Sequence, residues 1–211
     1  MRYTSRQKEK IEKLFSIYPE DIEFIPQDDP FKFLVTVILS ASSTDIKACK
    51  GADELFEIAP TPAGIASMEV AEIERIIHFV GLGWGKAKSI KALSEVAAKS
   101  GIPETLEELT AIPGIGEKTA NCYLVNILGK PGVIVDTHFA RTASRLGLVK
   151  ATERNAIYKE IKADFPPGIW SRLSMTVNLH GRTYCTARTP KCSDCPLNSL
   201  CPYGRKASVV E

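Results

Sequence analysis

Apolar residues recur along most of this chain three and four positions apart, the spacing of one face of a helix. Ile11, Leu14, Phe15 and Tyr18 form the first such stripe over residues 5–18, and Pro19 stops it. Thr44 is placed to cap a helix reaching to about Ile58. Thr61-Pro62 pairs a capping side chain with the proline favoured at a first helical position. Ile73, Ile76, Ile77 and Val80 mark another stripe ended by Gly81, and Lys86 to Ser100 continues to Gly101. Later helices open at Asp136 or Thr137 and end near Gly147, then run from Thr152 to Asp164 and from Ile169 to His180. Pro166-Pro167 separates the last two, and Gly181 follows. Phe31 to Leu39 is apolar almost throughout and β-branched in part, so periodicity alone leaves helix and strand both open.

The pattern fails beyond Arg182, where Cys185, Cys192, Cys195 and Cys201 are interleaved with Pro190, Pro196 and Pro202. Such a tail cannot build its own core and needs another source of order. The spacing Cys-x6-Cys-x2-Cys-x5-Cys lets four thiolates wrap one compact centre, either a four-thiolate zinc site or a [4Fe–4S] cluster. Cys49 and Cys122 stand alone within helical patterns and read as small buried apolar side chains.

Composition narrows the partners only slightly. The 211 residues suffice for one sizeable core or two modest ones, and a net charge of +2 confines any nucleic-acid footprint to local patches. The first residues lack a signal peptide's apolar core and no apolar run reaches membrane-spanning length, so a cytosolic protein without a membrane partner is expected.

Chemistry concentrates in Leu109–Leu124, LTAIPGIGEKTANCYL. Pro113 blocks continuation of one helix, and Gly114 and Gly116 are read as glycines needed for unusual backbone angles. A hairpin this short aims backbone N–H groups outward at the start of the next helix, a ready site for a phosphate. Lys118 lies just inside that helix. A lysine there is ordinarily solvated, but the positive helix end disfavours an ammonium, and a neutral amine is a nucleophile. Asp136, taken alone, is a helix cap.

The hairpin, Lys118, the Gly129-Lys130-Pro131-Gly132 loop, Asp136 and the four cysteines together resemble the endonuclease III family of helix-hairpin-helix DNA glycosylases. The resemblance covers nearly the whole chain, from the Phe31–Asp45 segment to Cys201. It implies an all-α fold, with Phe31–Leu39 a buried helix. Two helical domains are expected: a six-helix bundle over 23–130, and a discontinuous domain from 1–22 and 131–211 carrying the cluster loop 185–201. Lys118 and Asp136 would face each other across the cleft between them. The implied activity is that of a bifunctional glycosylase and AP lyase excising oxidised pyrimidines from duplex DNA in base-excision repair. Lys118 would attack C1′ and form a Schiff base. Asp136 would help activate it and balance positive charge on the sugar.

The same resemblance implies a [4Fe–4S] cluster on Cys185, Cys192, Cys195 and Cys201. It points to Ile112, Gly114, Ile115 and Gly116 of the hairpin as DNA contacts, with Ser42, Asp45, Leu82, His138, Arg182 and Lys191 beside them. Relatives usually carry glutamine where Ser42 stands, filling the hole left by the flipped nucleotide, and Leu82 is the other intercalating position. Glu117 departs from the basic residue expected beside the lysine. Trp84 is read as core, and Lys86, Lys88 and Lys91 as a solvated basic helix start close enough to the Leu82 loop for DNA contact. A monomer associated with the nucleoid is expected. Two rivals remain: a monofunctional adenine or thymine mismatch glycosylase, which would lack Lys118, and a non-catalytic DNA-structure binder.

Overall fold

A computed structural model describes residues 3–26 and 28–207, and among them all regular structure is helical. The chain divides into two compact units, one formed by residues 23–130 and the other by 1–22 with 131–211.

The 23–130 unit is built around α2 (Pro30–Ser40). Asp29 caps it by accepting from the Phe31 and Lys32 amides, with Pro30 at the first helical position. Every residue from Phe31 to Leu39 except Lys32 is buried, so α2 is apolar on all sides because it is covered on all sides. Each fully enclosed Leu or Val contributes at most about 1.5–3 kcal/mol. Around it lie α3 (Asp45–Ile58), α4 (Pro62–Ser67), α5 (Val70–Ile77), α6 (Gly83–Ser100), α7 (Leu106–Ala111) and α8 (Glu117–Asn126). Thr44 and Thr61 cap α3 and α4 as the sequence indicates. Seven α-helices are described in this unit rather than six, two of them, α4 and α7, only six residues long.

The other unit brings α1 (Ser5–Ile17) to α9 (Thr137–Leu146), α10 (Arg154–Asp164) and α11 (Pro167–Thr183), followed by a 3-10 turn at Asn198–Leu200 and α12 (Pro202–Ala207). Its core gathers Ile11, Leu14, Phe139, Leu146, Ile157, Leu173 and Val177 with Leu197 and Cys201 from the tail. A buried lysine fastens α1: Lys10 Nζ donates to the Leu146 carbonyl at 2.6 Å. Gly181 does not end α11, which continues to Thr183. A Cβ there would meet Thr142 Oγ1 at 2.5 Å and the His138 carbonyl at 3.1 Å, so the glycine permits close approach of α11 to α9.

Candidate active site and metal centre

The hairpin between α7 and α8 turns on Gly114, whose φ is +85° and which packs against Ser89 of α6. Ile112 and Ile115 are each 3% exposed. Their side chains anchor the loop, leaving only backbone to face a ligand. Gly116 departs from expectation. Its φ of −92° is open to any residue, and a Cβ there would meet nothing within 4 Å. As N-cap of α8 it supplies no side-chain acceptor, which leaves the first-turn amides to solvent or to an anion. Lys118 stands on that turn, half-buried, and Glu117 is exposed.

Two loops flank this unit's candidate DNA contacts. Ser42 is exposed between α2 and α3 at φ +54°, and the half-buried Asp45 begins α3. Leu82, at φ +53° and 71% exposed, precedes α6. Trp84 is 47% exposed rather than core, with Lys88 Nζ 5.3 Å from the centre of its ring. Helix α6 starts at Gly83, which carries Trp84 outward on its first turn. Lys86 is not on a solvated face: it is 6% exposed and donates to the carbonyls of Leu39 at 2.9 Å and Val80 at 3.2 Å. It thereby fastens the end of α2 to the segment before Leu82, and burial pushes its pKa down. Lys91 is likewise engaged, donating to the carbonyls of Ala66 and Met68. Of the three lysines expected to form a solvated basic helix start, only Lys88 keeps that role.

In the other unit Asp136 caps α9, its Oδ1 accepting from the Phe139 amide at 2.7 Å. Its Oδ2 accepts from Asn178 Nδ2, and Asn178 Oδ1 accepts from Arg182 Nε at 2.8 Å. His138 is half-buried, with Nδ1 3.3 Å from Arg141 Nη2. Burial is the main cause lowering its pKa, partly opposed by Asp136 and reinforced by Arg182 and Arg141. Asn178, which no sequence pattern singled out, is one of several buried polar residues along α11, beside Ser174, Thr176 and His180. Its only advance signal is its place one turn before Gly181 and Arg182.

The tail is held to α9 by arginines. Arg141 donates to the carbonyls of Cys185 and Gly181, each at 2.9 Å. Arg145 donates to Thr186 at 2.7 Å and Ala187 at 3.0 Å, and stacks on Tyr203 at 4.5 Å. Arg188 and Lys191 are exposed. The four tail cysteines carry free thiols and line one pocket, partly open to solvent, together with His180, Tyr184 and Leu146. Among the described residues no three His, Cys, Asp or Glu side chains converge on a single-ion site. Four cysteines lining one shared pocket supply the donor set that an iron–sulfur cluster needs, which is also that of a four-thiolate zinc site. Burial holds the neighbouring His180 neutral, with its pKa lowered to about 4.

Comparison with known proteins agrees with these features. Residues 35–167 match the HhH-GPD superfamily of base excision DNA repair proteins, and residues 185–201 match the iron-sulfur binding domain of endonuclease III. Endonuclease III of Synechocystis sp. is 36% identical over 193 residues, covering 90% of this chain and 88% of that protein. The structure of a non-covalent endonuclease III–DNA complex superposes with a TM-score of 0.89 at 30% identity, covering 98% of this chain and 100% of that one. A trapped endonuclease III–DNA covalent intermediate gives the same TM-score, identity and coverage. The chain is a member of the endonuclease III family, within the HhH-GPD superfamily.

Proposed function

We propose that this protein acts as a monomer on oxidised pyrimidines in duplex DNA, with Lys118 as nucleophile and Asp136 as its carboxylate partner. It is a bifunctional DNA glycosylase and AP lyase of base-excision repair and carries a [4Fe–4S] cluster. The observation that supports the assignment of the nucleophile is the half-buried Lys118 on the first turn of α8, directly after a hairpin with no side-chain cap.

The chemistry follows from a phosphate held on the hairpin amides. The neutral Lys118 amine attacks C1′, the glycosidic bond breaks, and its electron pair leaves with the base, which takes up a proton. The amine gives up a proton to Asp136, O4′ departs from C1′ with the bonding pair and takes up a proton to become a hydroxyl, and an iminium forms. Loss of a proton from C2′ then expels the 3′ phosphate by β-elimination, and water releases the unsaturated aldehyde from the lysine. Leu82 and Trp84 open the stack, and Arg188 and Lys191 hold phosphates. Cys185, Cys192, Cys195 and Cys201 would hold the cluster, which supplies iron–thiolate cross-links to a tail without its own core.

Borohydride reduction during turnover tests the reading. The wild-type protein should become covalently attached to DNA, and Lys118→Gln should lose trapping and strand cleavage while still binding an abasic-site analogue. Trapping by Lys118→Gln would assign the chemistry to another amine. Lyase activity on abasic DNA, with loss of both base excision and lyase in Lys118→Gln, separates this reading from a monofunctional mismatch enzyme and from a passive binder.

A further inference from the structure

The carboxylate of Asp136 is gripped from two helices. The α9 backbone fixes Oδ1 through the Phe139 amide, and α11 reaches Oδ2 through Asn178 Nδ2. Asn178 is 7% exposed, so neither end of its amide can exchange freely with water. An asparagine placed against a carboxylate could present either its oxygen or its nitrogen, and only the nitrogen attracts. Arg182, one turn later on α11, decides the matter. Its Nε is a donor and occupies Asn178 Oδ1 at 2.8 Å, which turns Nδ2 toward Asp136.

The order is guanidinium, amide, carboxylate. Charge on Arg182 polarises the amide, and the polarised N–H donates to the carboxylate. Gly181 supports the arrangement, because a side chain there would push α11 away from His138 and Thr142 of α9. Of the nearby ionisable groups on α9, His138 and Arg141 contact each other, and neither donates to Asp136 Oδ2.

Resting on the assignment of Asp136 made above, we infer that Asn178, with its amide orientation set by Arg182, is a positioning residue that fixes the Asp136 carboxylate for base excision. A cap alone fixes one oxygen and leaves the carboxylate plane able to rock about it. The second hydrogen bond removes that freedom before substrate arrives. Arg182 then has a role beyond the phosphate contact expected of it.

The test uses the full-length holoprotein and single-turnover excision measured on saturated enzyme–DNA complex, so that loss of folded protein does not enter the rate constant. Asn178→Leu keeps the branched heavy-atom skeleton and removes both amide functions. Its excision rate constant should fall about 10- to 100-fold, the scale of a misplaced catalytic group, while affinity for an abasic-analogue duplex stays within about twofold. Asn178→Asp sets a second carboxylate against the first. Its excision should be poorer than wild type at neutral pH and should recover part of the loss as the pH falls, because one shared proton restores the hydrogen bond. A purely structural role would give no such recovery.

Wild-type excision by Asn178→Leu alongside a crippled Asp136→Asn would overturn the inference and leave the reading of Asp136 standing. Wild-type excision by Asp136→Asn would instead remove the reading on which the inference rests. If Asn178→Leu cannot be isolated folded, Asn178→Asp decides alone, and a pH profile parallel to wild type refutes the positioning role.

Discussion

Replacing Gly114 by alanine should cripple the hairpin for two separable reasons. At φ +85° an alanine pays about 1–2 kcal/mol for the left-handed backbone alone. The added Cβ would also lie 1.8 Å from Ser89 Oγ and 2.7 Å from Ser89 Cβ. Rotating the hydroxyl, which now donates to the Gly85 carbonyl at 3.0 Å, relieves the first contact but not the second, because the α6 backbone fixes that Cβ. Forced overpacking of this kind costs about 1–3 kcal/mol. Gly114→Ala should therefore destabilise by about 2–5 kcal/mol. Ser89→Gly alone should cost about 1 kcal/mol as a glycine within a helix. In the double variant the steric part disappears, so the loss should be about 2–3 kcal/mol rather than the additive 3–6. Urea unfolding of the four proteins measures the cycle, with affinity for an abasic-analogue duplex as a parallel readout that should recover in the double variant. Additive losses, within about 0.5 kcal/mol, would show that contact with Ser89 is not what demands a glycine.

Other perturbations address the tail and the loops. The purified protein should be brown with about four irons per chain; Cys195→Ser should lose iron and much of its soluble yield, whereas zinc in a colourless protein would reject the cluster. Arg145→Met removes donors to Thr186 and Ala187 and the cation over Tyr203; at about 1 kcal/mol or more for each charged hydrogen bond, it should speed loss of the visible cluster absorbance under a chelator, with unchanged loss arguing that the clamp is redundant. Ser42→Gln should tighten binding to an abasic-analogue duplex, because a longer side chain can fill the vacated stack. If affinity does not move, Leu82 already fills it, and Leu82→Ala becomes the more damaging change. Asp136→Asn should slow base excision by about 100-fold or more, read in the same single-turnover assay.

What the sequence disclosed and what it withheld divide along physical lines. Caps and stops are local chemistry, so Thr44, Thr61 and Asp136 could be placed in advance. Helix α2 could not be told from a strand by period, because a segment covered on every side has no polar face to set one. Lys86 and Lys10 were illegible for a related reason. Lysine suggests solvent, and only the fold shows that their ammonium groups satisfy carbonyls at helix ends. Trp84 misled in the opposite sense, since a large aromatic suggests core but the early start of α6 turns it outward. The hairpin's purpose was plain, whereas the division of labour between its glycines was not. Gly114 answers to Ser89, 25 residues away in sequence, and Gly116 to the absence of a side-chain cap. Asn178 stayed hidden because its meaning lies wholly in two partners, one of them on another helix.

The anchorage of α1 sets an order in which the molecule can be made. Gln7 donates to the Leu148 carbonyl, Lys10 to Leu146, and Arg172 to Phe15, pairings 141, 136 and 157 residues apart. On a ribosome adding about 5–20 residues per second, α1 emerges roughly 7–31 s before these partners exist. Throughout that interval Ile11 and Leu14 lack the surface that later buries them. Residues 23–130 meanwhile emerge with every helix of their own unit already made. Helix α1 is thus made well before it can be seated. A nascent chain halted near residue 130 should expose α1 to proteases or to chaperones that bind apolar segments, and release of the remaining residues should close that window.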